Sequence, residues 1–225
     1  MKKHKVIITG STGMVGEGIL HICLNSDLIE TVLVVNRKPL GLSHPKLKEI
    51  IHTDFYDLTS ILDEFRSYDA CFFCLGISSV GANKDYYFKT TYTLTLHFAE
   101  SVLRVNNKIK FMYVSGAGTD ETETGRVAWA KVKGKTENDL AKMTFDRFYA
   151  FRPGFIKPIK NLRFTHSFYK YINWFFPIGR SLYPSAFCTM EELGNAMLFL
   201  LENNFSSTIV KGKDIIKLSA SYNIK

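Results

Sequence analysis

The stretch VIITGSTGMVGEG, residues 6–18, decides the fold of this chain. An apolar run typical of a buried strand leads directly into glycines at positions 10, 13 and 16, and helical spacing follows. Gly10 allows a sharp turn, Gly13 lets backbone N–H groups approach an anion, and Gly16 lets the helix pack closely on the sheet. The N-terminus of the helix adds partial positive charge. The stretch therefore predicts a loop that binds the pyrophosphate of a dinucleotide.

Beyond this loop, short apolar runs alternate with longer segments of helical spacing, which is the pattern of βαβ units. We predict strands at residues 5–9, 31–35, 48–52, 70–74, 110–114 and 147–151. We predict helices at residues 15–25, 58–65, 84–106, 126–142, 162–176 and 191–201, with a capping box in Thr189-Met-Glu-Glu192 before the last. The predicted fold class is α/β, a doubly wound and mainly parallel Rossmann sheet with a small helical C-terminal cap.

The length of 225 residues and the absence of repeats or low-complexity linkers predict one domain, residues 1–225. The rhythm of strands and helices changes after Pro153. Ligands of open α/β sheets lie beyond the carboxyl ends of the strands, so we predict that segment 157–225 covers a substrate. The alternative, that this segment only packs on the sheet, stays open.

The formal net charge of +8 is spread along the chain without a long run of one sign. We interpret it as solubility and attraction for a phosphate-bearing ligand, and we expect no nucleic-acid binding. The N-terminal MKKHKVIITG has too few apolar residues for a secretory signal or a membrane helix. We expect a cytoplasmic protein with a small-molecule substrate and no integral membrane segment, and a homodimer stays open.

Cysteine and histidine spacing gives no reason to propose a metal. Cys71 and Cys74 form a CxxC, a spacing also used for redox chemistry and zinc. They fall in the predicted strand 70–74, where residues three apart point to opposite faces, and a second ligand pair is missing.

The residues after the second strand bear on the choice of nucleotide. Proteins that prefer NAD usually place Asp or Glu there to bind the ribose 2′-hydroxyl. This chain has Asn36-Arg37-Lys38 instead, and the guanidinium of Arg37 can meet a 2′-phosphate. We therefore predict NADP as the cofactor, with NAD as the alternative. The competing interpretation is that Arg37 is only a solvated loop charge.

Two further strand ends carry predicted cofactor contacts. Asp54-Phe55 follows the third strand, where an acceptor and an aromatic edge could flank adenine. Leu75-Gly76 follows the fourth strand, where a glycine lets the chain pass close to the cofactor.

Together these motifs resemble the atypical short-chain dehydrogenase/reductases, which include NAD-dependent epimerase/dehydratase-like proteins. The resemblance rests on TGxxGxxG, on Asn-Arg, Asp-Phe and Cys-Leu-Gly after the second, third and fourth strands, and on Arg-Pro-Gly after the sixth. A closer likeness is to the Tat-interacting-protein-like oxidoreductases, through Val132-Lys133-Gly134 with Glu137 and through FDRFYAFRPG at residues 145–154. It covers about residues 5–156 and implies an NAD(P)-dependent oxidoreductase that acts on a carbonyl, alcohol or sugar-like substrate.

The resemblance also implies a Ser, Tyr and Lys set, in which Tyr transfers the proton, Lys lowers its pKa and holds the ribose, and Ser binds the substrate oxygen. Ser115 in YVSGAG matches the serine and Lys133 matches the lysine. Trp129 stands where the tyrosine belongs, and an indole N–H cannot exchange a proton near neutral pH.

Three explanations of Trp129 stay open. The alignment is misplaced, or Tyr86, Tyr87 or Tyr92 serves as the acid, or the chain is a cofactor-binding regulatory or scaffold protein without the usual catalysis. Lys133 shares a helix face with Trp129 and could hold the ribose without a tyrosine. The predicted catalytic residues are Ser115 and Lys133. The predicted cofactor-binding residues are Gly10, Ser11, Thr12, Gly13, Met14, Val15, Gly16, Asn36, Arg37, Asp54, Phe55, Leu75, Gly76, Lys133, Pro153 and Gly154.

Overall fold

A computed structural model describes residues 2–160, 162–164 and 176–223. Its strands are β1 His4–Thr9, β2 Ile29–Asn36, β3 Leu47–Ile51, β4 Ala70–Phe73, β5 Lys110–Val114, β6 Arg147–Arg152, β7 Phe155–Lys157, β8 Phe187–Thr189 and β9 Ile209–Lys211. Seven of them form a sheet in the order β3-β2-β1-β4-β5-β6-β9, and every pairing in it is parallel. The strands β7 and β8 form a separate parallel pair. The predicted doubly wound Rossmann class is confirmed.

Helices connect the strands, as a parallel sheet requires. They are α1 Met14–Asn25, α2 Lys84–Phe88, α3 Leu94–Val105, α4 Ala128–Ala141, α5 Phe176–Leu182, α6 Met190–Glu202 and α7 Gly212–Asn223. Short 3-10 helices occupy Thr59–Phe65 and Pro184–Ala186, and a π-helical turn, Lys89–Thr93, joins α2 to α3. The predicted helix 84–106 therefore has nearly the right extent but contains this π turn.

Both faces of the sheet are buried, which explains the continuous apolar run in β1. Val6 and Ile8 belong to a core that also contains residues of α1, α6 and α7. Ile7 belongs to the opposite core with residues of α3 and of the 3-10 helix Thr59–Phe65. The CxxC follows the same alternation, because Cys71 is in the second core and Cys74 packs against the first.

The C-terminal part of the chain completes the central layers. The strand β9 pairs with β6, and α6 packs against both α1 and α7. The predicted capping box is confirmed: the Thr189 hydroxyl accepts from the backbone N–H of Glu192 at 3.1 Å, and the Glu192 carboxylate accepts from that of Thr189 at 2.8 Å. Most of the predicted helix 162–176 lies outside the described residues. That segment 157–225 covers a substrate stays a prediction.

Candidate functional site

The sheet order reverses at β1, because β2 pairs with one side of this strand and β4 with the other. Gly10 leaves β1 at this point with φ +69°. A Cβ on Gly10 would lie 2.7 Å from the Leu75 backbone nitrogen and 2.8 Å from the Cys74 carbonyl. Since these neighbours are backbone atoms, only glycine fits, and a crevice opens at the carboxyl ends of β1 and β4.

The same loop leaves the first turn of α1 accessible. A Cβ on Gly16 would lie 2.1 Å from the Gly10 carbonyl oxygen, so the third glycine lets α1 approach the turn. Gly13 is the N-cap and has no side chain to cap the helix. The backbone N–H groups of Met14 and Val15 lie in the first turn, where a helix provides no internal acceptor. This arrangement suits a bound phosphate.

A cleft of about 400 Å³ lies over this loop. The predicted cofactor-binding residues that line it are Gly10, Thr12, Gly13, Asn36, Arg37, Asp54, Phe55, Leu75 and Gly76. Its other lining residues are Val35, Thr53, Tyr56, Cys74, Ile77, Tyr86, Thr90 and Leu94. Four strand ends predicted separately from the sequence thus meet in one cleft.

One wall of the cleft was missed by sequence reasoning. Tyr86, Thr90 and Leu94 stand four residues apart and line the cleft from α2, the π turn and the start of α3. Their spacing could have indicated a shared helix face, but the sequence alone does not show which face meets the sheet edge. Thr90 lies within the π turn, a helix irregularity frequent at functional sites.

Both ends of the Asn36 side-chain amide are hydrogen-bonded within the protein. Its Oδ1 accepts from the Ser11 hydroxyl at 2.8 Å, and its Nδ2 donates to Glu49 Oε1 at 2.8 Å. The same Glu49 oxygen accepts from the Leu40 backbone N–H at 2.9 Å. Ser11 and Asn36 therefore fix the glycine loop against the end of β2.

Arg37 is the next residue, and its side chain has different surroundings from that of Asn36. Its side chain is exposed at the cleft and has no hydrogen-bond or ion-pair partner in the part of the chain that the structure describes. Across the cleft, Asp54 accepts from the Tyr56 backbone N–H at 2.8 Å. Phe55 is buried, packs on Phe98 with ring centroids 6.4 Å apart, and lines the cleft.

The end of β4 forms the inner wall of the cleft. No atom lies within 4 Å of a Cβ built on Gly76, so a side chain there would extend into open space. Burial raises the pKa of the Cys74 thiol to about 12, which keeps this residue neutral and unreactive. The cleft wall is therefore smooth and uncharged at this point.

Ser115 follows β5 at the same edge of the sheet. Phe73 of β4 pairs with Tyr113 of β5, so Leu75 and Ser115 each stand two residues beyond that pair. The Ser115 hydroxyl lies 3.0 Å from that of Thr119, and Thr119 donates to the Gly116 carbonyl at 2.8 Å. Because Thr119 has one hydroxyl proton, Ser115 is the donor in their mutual bond.

Lys133 and Trp129 lie one turn apart on α4, as predicted. The Lys133 ammonium stands 5.7 Å from the centre of the Tyr113 ring. Burial lowers the pKa of Lys133 to about 8, and the charge of Glu137 opposes this shift. The Trp129 ring packs against Gly118, where a Cβ would lie 3.4 Å from it. Neither Ser115 nor Lys133 lines the cleft described above.

The tyrosines considered as alternative acids differ in position. Tyr86 is exposed and lines the cleft. Tyr87 is buried, and burial raises the pKa of its phenol. Tyr92 points away from the cleft and donates to Asp139 of α4 at 2.8 Å.

Pro153 and Gly154 hold the chain beyond β6 in place. The Pro153 carbonyl accepts from the Ala117 backbone N–H at 2.8 Å, which anchors the loop that carries Ser115. A Cβ on Gly154 would lie 2.2 Å from the Ala186 carbonyl oxygen, so this glycine permits a close packing contact. Neither residue lines the cleft, and their predicted direct contact with a cofactor is untested.

Glu137, from the motif that begins at Val132, and Arg152, from Arg-Pro-Gly, form a buried ion pair. Glu137 of α4 accepts from Arg152 of β6, with Arg152 Nε 3.0 Å from Oε2 and 3.2 Å from Oε1. Glu121 approaches the same guanidinium at 3.1 Å from an exposed loop. Both motifs were visible in the sequence, but their pairing was not.

No group of three or more His, Cys, Asp and Glu side chains in the described ranges could hold a metal ion. Within the same ranges, no helix has the length and apolarity needed to cross a membrane.

Comparison with known proteins agrees with this geometry. The chain belongs to the NAD dependent epimerase/dehydratase family, whose model matches residues 6–146. It is 26% identical over 156 residues to Protein HTATIP2 of Rattus norvegicus, covering 68% of this chain and 63% of the rat protein. The chain thus spans less than two thirds of that relative. It is 24% identical over 239 residues to Protein FMP52, mitochondrial, of Meyerozyma guilliermondii, covering 98% of this chain and 97% of the relative.

Among solved structures, a UDP-N-acetylglucosamine 4-epimerase from Methanobrevibacter ruminantium M1 has a TM-score of 0.66 and 17% identity, covering 93% of this chain and 76% of that one. At this identity the similarity shows the fold alone. The family and the Rossmann fold predicted from the sequence are thus both confirmed.

Proposed function

We propose that this protein is an NADP(H)-dependent oxidoreductase that acts on a carbonyl, alcohol or sugar-like substrate. The observation that carries the proposal is the close approach of the Gly10 turn to the Cys74–Leu75 backbone. A cleft lies beside this contact, at the point where the strand order reverses. Nucleotides bind at this point in open α/β sheets.

The residues present fit such a nucleotide. The uncapped N-terminus of α1 supplies N–H groups for the pyrophosphate. The open space at Gly76 leaves room for a ribose beside the inner wall. Tyr56 and Tyr86 line the cleft with aromatic surface on which a purine can stack. When bound, the nicotinamide would supply hydride transfer.

The preference for NADP over NAD rests on two neighbouring residues. The Asn36 amide is held by hydrogen bonds to Ser11 and Glu49, and it stands where proteins that prefer NAD place a carboxylate for the ribose 2′-hydroxyl. Arg37 is exposed at the cleft and has no partner in the described part of the chain, so its guanidinium is available for a 2′-phosphate.

At the substrate end, Ser115 and Lys133 have separate tasks. Ser115 would orient a substrate oxygen, for which its hydroxyl must turn away from Thr119. Lys133 would donate hydrogen bonds to the nicotinamide ribose from its place beside Tyr113. The proton donor is unassigned, and Tyr86 is the candidate phenol that lines the cleft.

A second function is favoured by Trp129. An indole cannot exchange a proton near neutral pH, and this ring packs on the loop of Ser115 through Gly118. A protein with this ring at the proton-donor position could bind NADP(H) and signal through a partner without turnover. Steady-state turnover with a panel of aldehydes, ketones and sugar nucleotides distinguishes the two functions, since a scaffold leaves NADPH unconsumed.

Titration with NADPH and NADH, followed by cofactor fluorescence, tests the binding proposal. We expect tighter binding of NADPH, and we expect Arg37→Ala to weaken NADPH binding while leaving NADH binding unchanged. Lys38→Ala is the matched control, because it removes an adjacent exposed charge. Failure of both nucleotides to bind would contradict the proposal, and equal weakening by the two variants would contradict the role of Arg37.

Cytoplasmic location, a homodimer and the lack of nucleic-acid binding stay predictions. The FMP52 relative is named mitochondrial, so it does not support the cytoplasmic assignment.

A further inference from the structure

The buried pair of Glu137 and Arg152 stands next to the residue that the proposed function assigns to the ribose. Glu137 is 2% exposed and the side chain of Arg152 is 9% exposed. The Nε–H of the guanidinium is shared between both Glu137 oxygens, and a terminal nitrogen also donates to Oε2. A carboxylate at this depth needs a paired charge, and the Arg152 guanidinium supplies it.

Lys133 lies one helical turn before Glu137 on the same face of α4. Its ammonium contacts the face of the Tyr113 ring, and it has no hydrogen-bond or ion-pair partner among the described residues. Burial therefore favours loss of its proton, and the negative charge of Glu137 favours keeping it. The titratable phenols beside it, Tyr113 and Tyr87, are buried, which raises the pKa of both and keeps them neutral.

Stability alone does not explain the pair. A buried ion pair contributes about as much as apolar residues of the same volume, because desolvation offsets the attraction between the charges. What apolar residues could not supply is a fixed negative charge one turn from Lys133.

We infer that Glu137, paired with Arg152, is a positioning residue that keeps Lys133 protonated so that its ammonium can bind the nucleotide ribose. This inference rests on the proposed function, since it assumes that Lys133 meets a nucleotide. The pair also ties α4 to β6, so it fixes the helix that carries Lys133 against the sheet.

The test measures the charge of Lys133 directly. The pH dependence of acetylation of Lys133 by acetic anhydride, followed by mass spectrometry, gives its pKa in the full-length protein. We expect Glu137→Gln to lower this pKa and Glu137→Asp to restore most of it. Glu121→Gln is the matched control, because it removes an exposed carboxylate from the same guanidinium and should leave the pKa of Lys133 unchanged.

A lower pKa of Lys133 should also weaken NADPH binding. If only protonated Lys133 binds, a fall of one unit from a pKa of about 8 weakens binding about threefold at pH 7.5 and about eightfold at pH 8.5. A purely structural role would weaken binding by the same factor at both pH values.

Glu137→Gln leaves Arg152 with less compensation and can unfold the protein, so the double variant Glu137→Met with Arg152→Met removes both charges and keeps the volume filled. A folded single or double variant in which Lys133 keeps its wild-type pKa would overturn the inference. If the wild-type protein fails to bind NADPH while the acetylation result follows Glu137, the proposed function fails and the effect of Glu137 on the Lys133 charge stands.

Discussion

The cleft at Gly10 and the residues around Ser115 lie at one edge of the same sheet, but the family pattern is complete in the first region and incomplete in the second. In the cleft, all three glycines of the loop are present, and the close contacts at Gly10 and Gly16 are with backbone atoms. In the second region, Ser115 and Lys133 are present, whereas Trp129 takes the place of the tyrosine. The contrast separates nucleotide binding from proton transfer.

This difference has a physical basis. Backbone N–H groups and glycines bind a pyrophosphate through geometry, which one distant side chain does not change. Proton transfer requires a group with a suitable pKa at a defined place, so replacement of one side chain can lower the rate by about 100-fold or more. The two regions are nevertheless joined, because Tyr92 of the π turn donates to Asp139 of α4.

Gly16→Ala should have the largest effect on the cleft. Its new Cβ would lie 2.1 Å from the Gly10 carbonyl oxygen, so either the turn or α1 must move. We expect the thermal midpoint, measured by circular dichroism, to fall by roughly 10 °C, with loss of NADPH binding. A variant as stable as the wild-type protein would show that the loop does not depend on this contact.

Trp129→Tyr should have the largest effect on turnover at Ser115 and Lys133. Restoring a phenol one turn before Lys133 should raise turnover of a carbonyl substrate by about 100-fold, since general acid catalysis contributes on that scale. Trp129→Phe is the control, because it changes the ring without adding a hydroxyl. Equal activity of the Tyr and Phe variants would mean that the missing phenol does not limit turnover.

Gly76→Ala should have a moderate effect that is confined to binding. Its Cβ would meet no atom of the protein, so we expect an unchanged thermal midpoint. If a nucleotide lies against this wall, the added methyl group should weaken NADPH binding about tenfold. Unchanged affinity would place the nucleotide away from β4.

The smallest effect concerns Asp139, whose hydrogen bond with Tyr92 connects the two regions. Hydrogen bonds from Lys142, Lys135 and Tyr92 lower the pKa of Asp139 from its usual 3.8 to about 2. The stability that Asp139 contributes is therefore complete above about pH 5 and is lost progressively as the pH falls through about 2. Because the site is partly solvated, we expect less than about 1 kcal/mol, measured as the difference in acid unfolding between the wild-type protein and Asp139→Asn.

The fold could be predicted from the sequence because its signals are local. The glycine loop, the apolar strands and the capping box at Thr189 each fall within about a dozen residues. The short strand Ile209–Lys211 was missed because three residues cannot show a period of two.

The site could be predicted only in part, for the same reason. The strand ends that line the cleft follow from topology, since the carboxyl ends of parallel strands share one edge. The engagement of Asn36 by Ser11 and Glu49 depends on three separate segments, and the pairing of Glu137 with Arg152 depends on two. No local pattern in the sequence encodes such contacts.

A crystal structure of the protein with NADPH tests the central claim most directly. We predict the pyrophosphate at the backbone N–H groups of Met14 and Val15, the 2′-phosphate at Arg37, and the nicotinamide toward Ser115. Nucleotide bound elsewhere on the molecule, or a 2′-phosphate that does not contact Arg37, would contradict this account of the cleft.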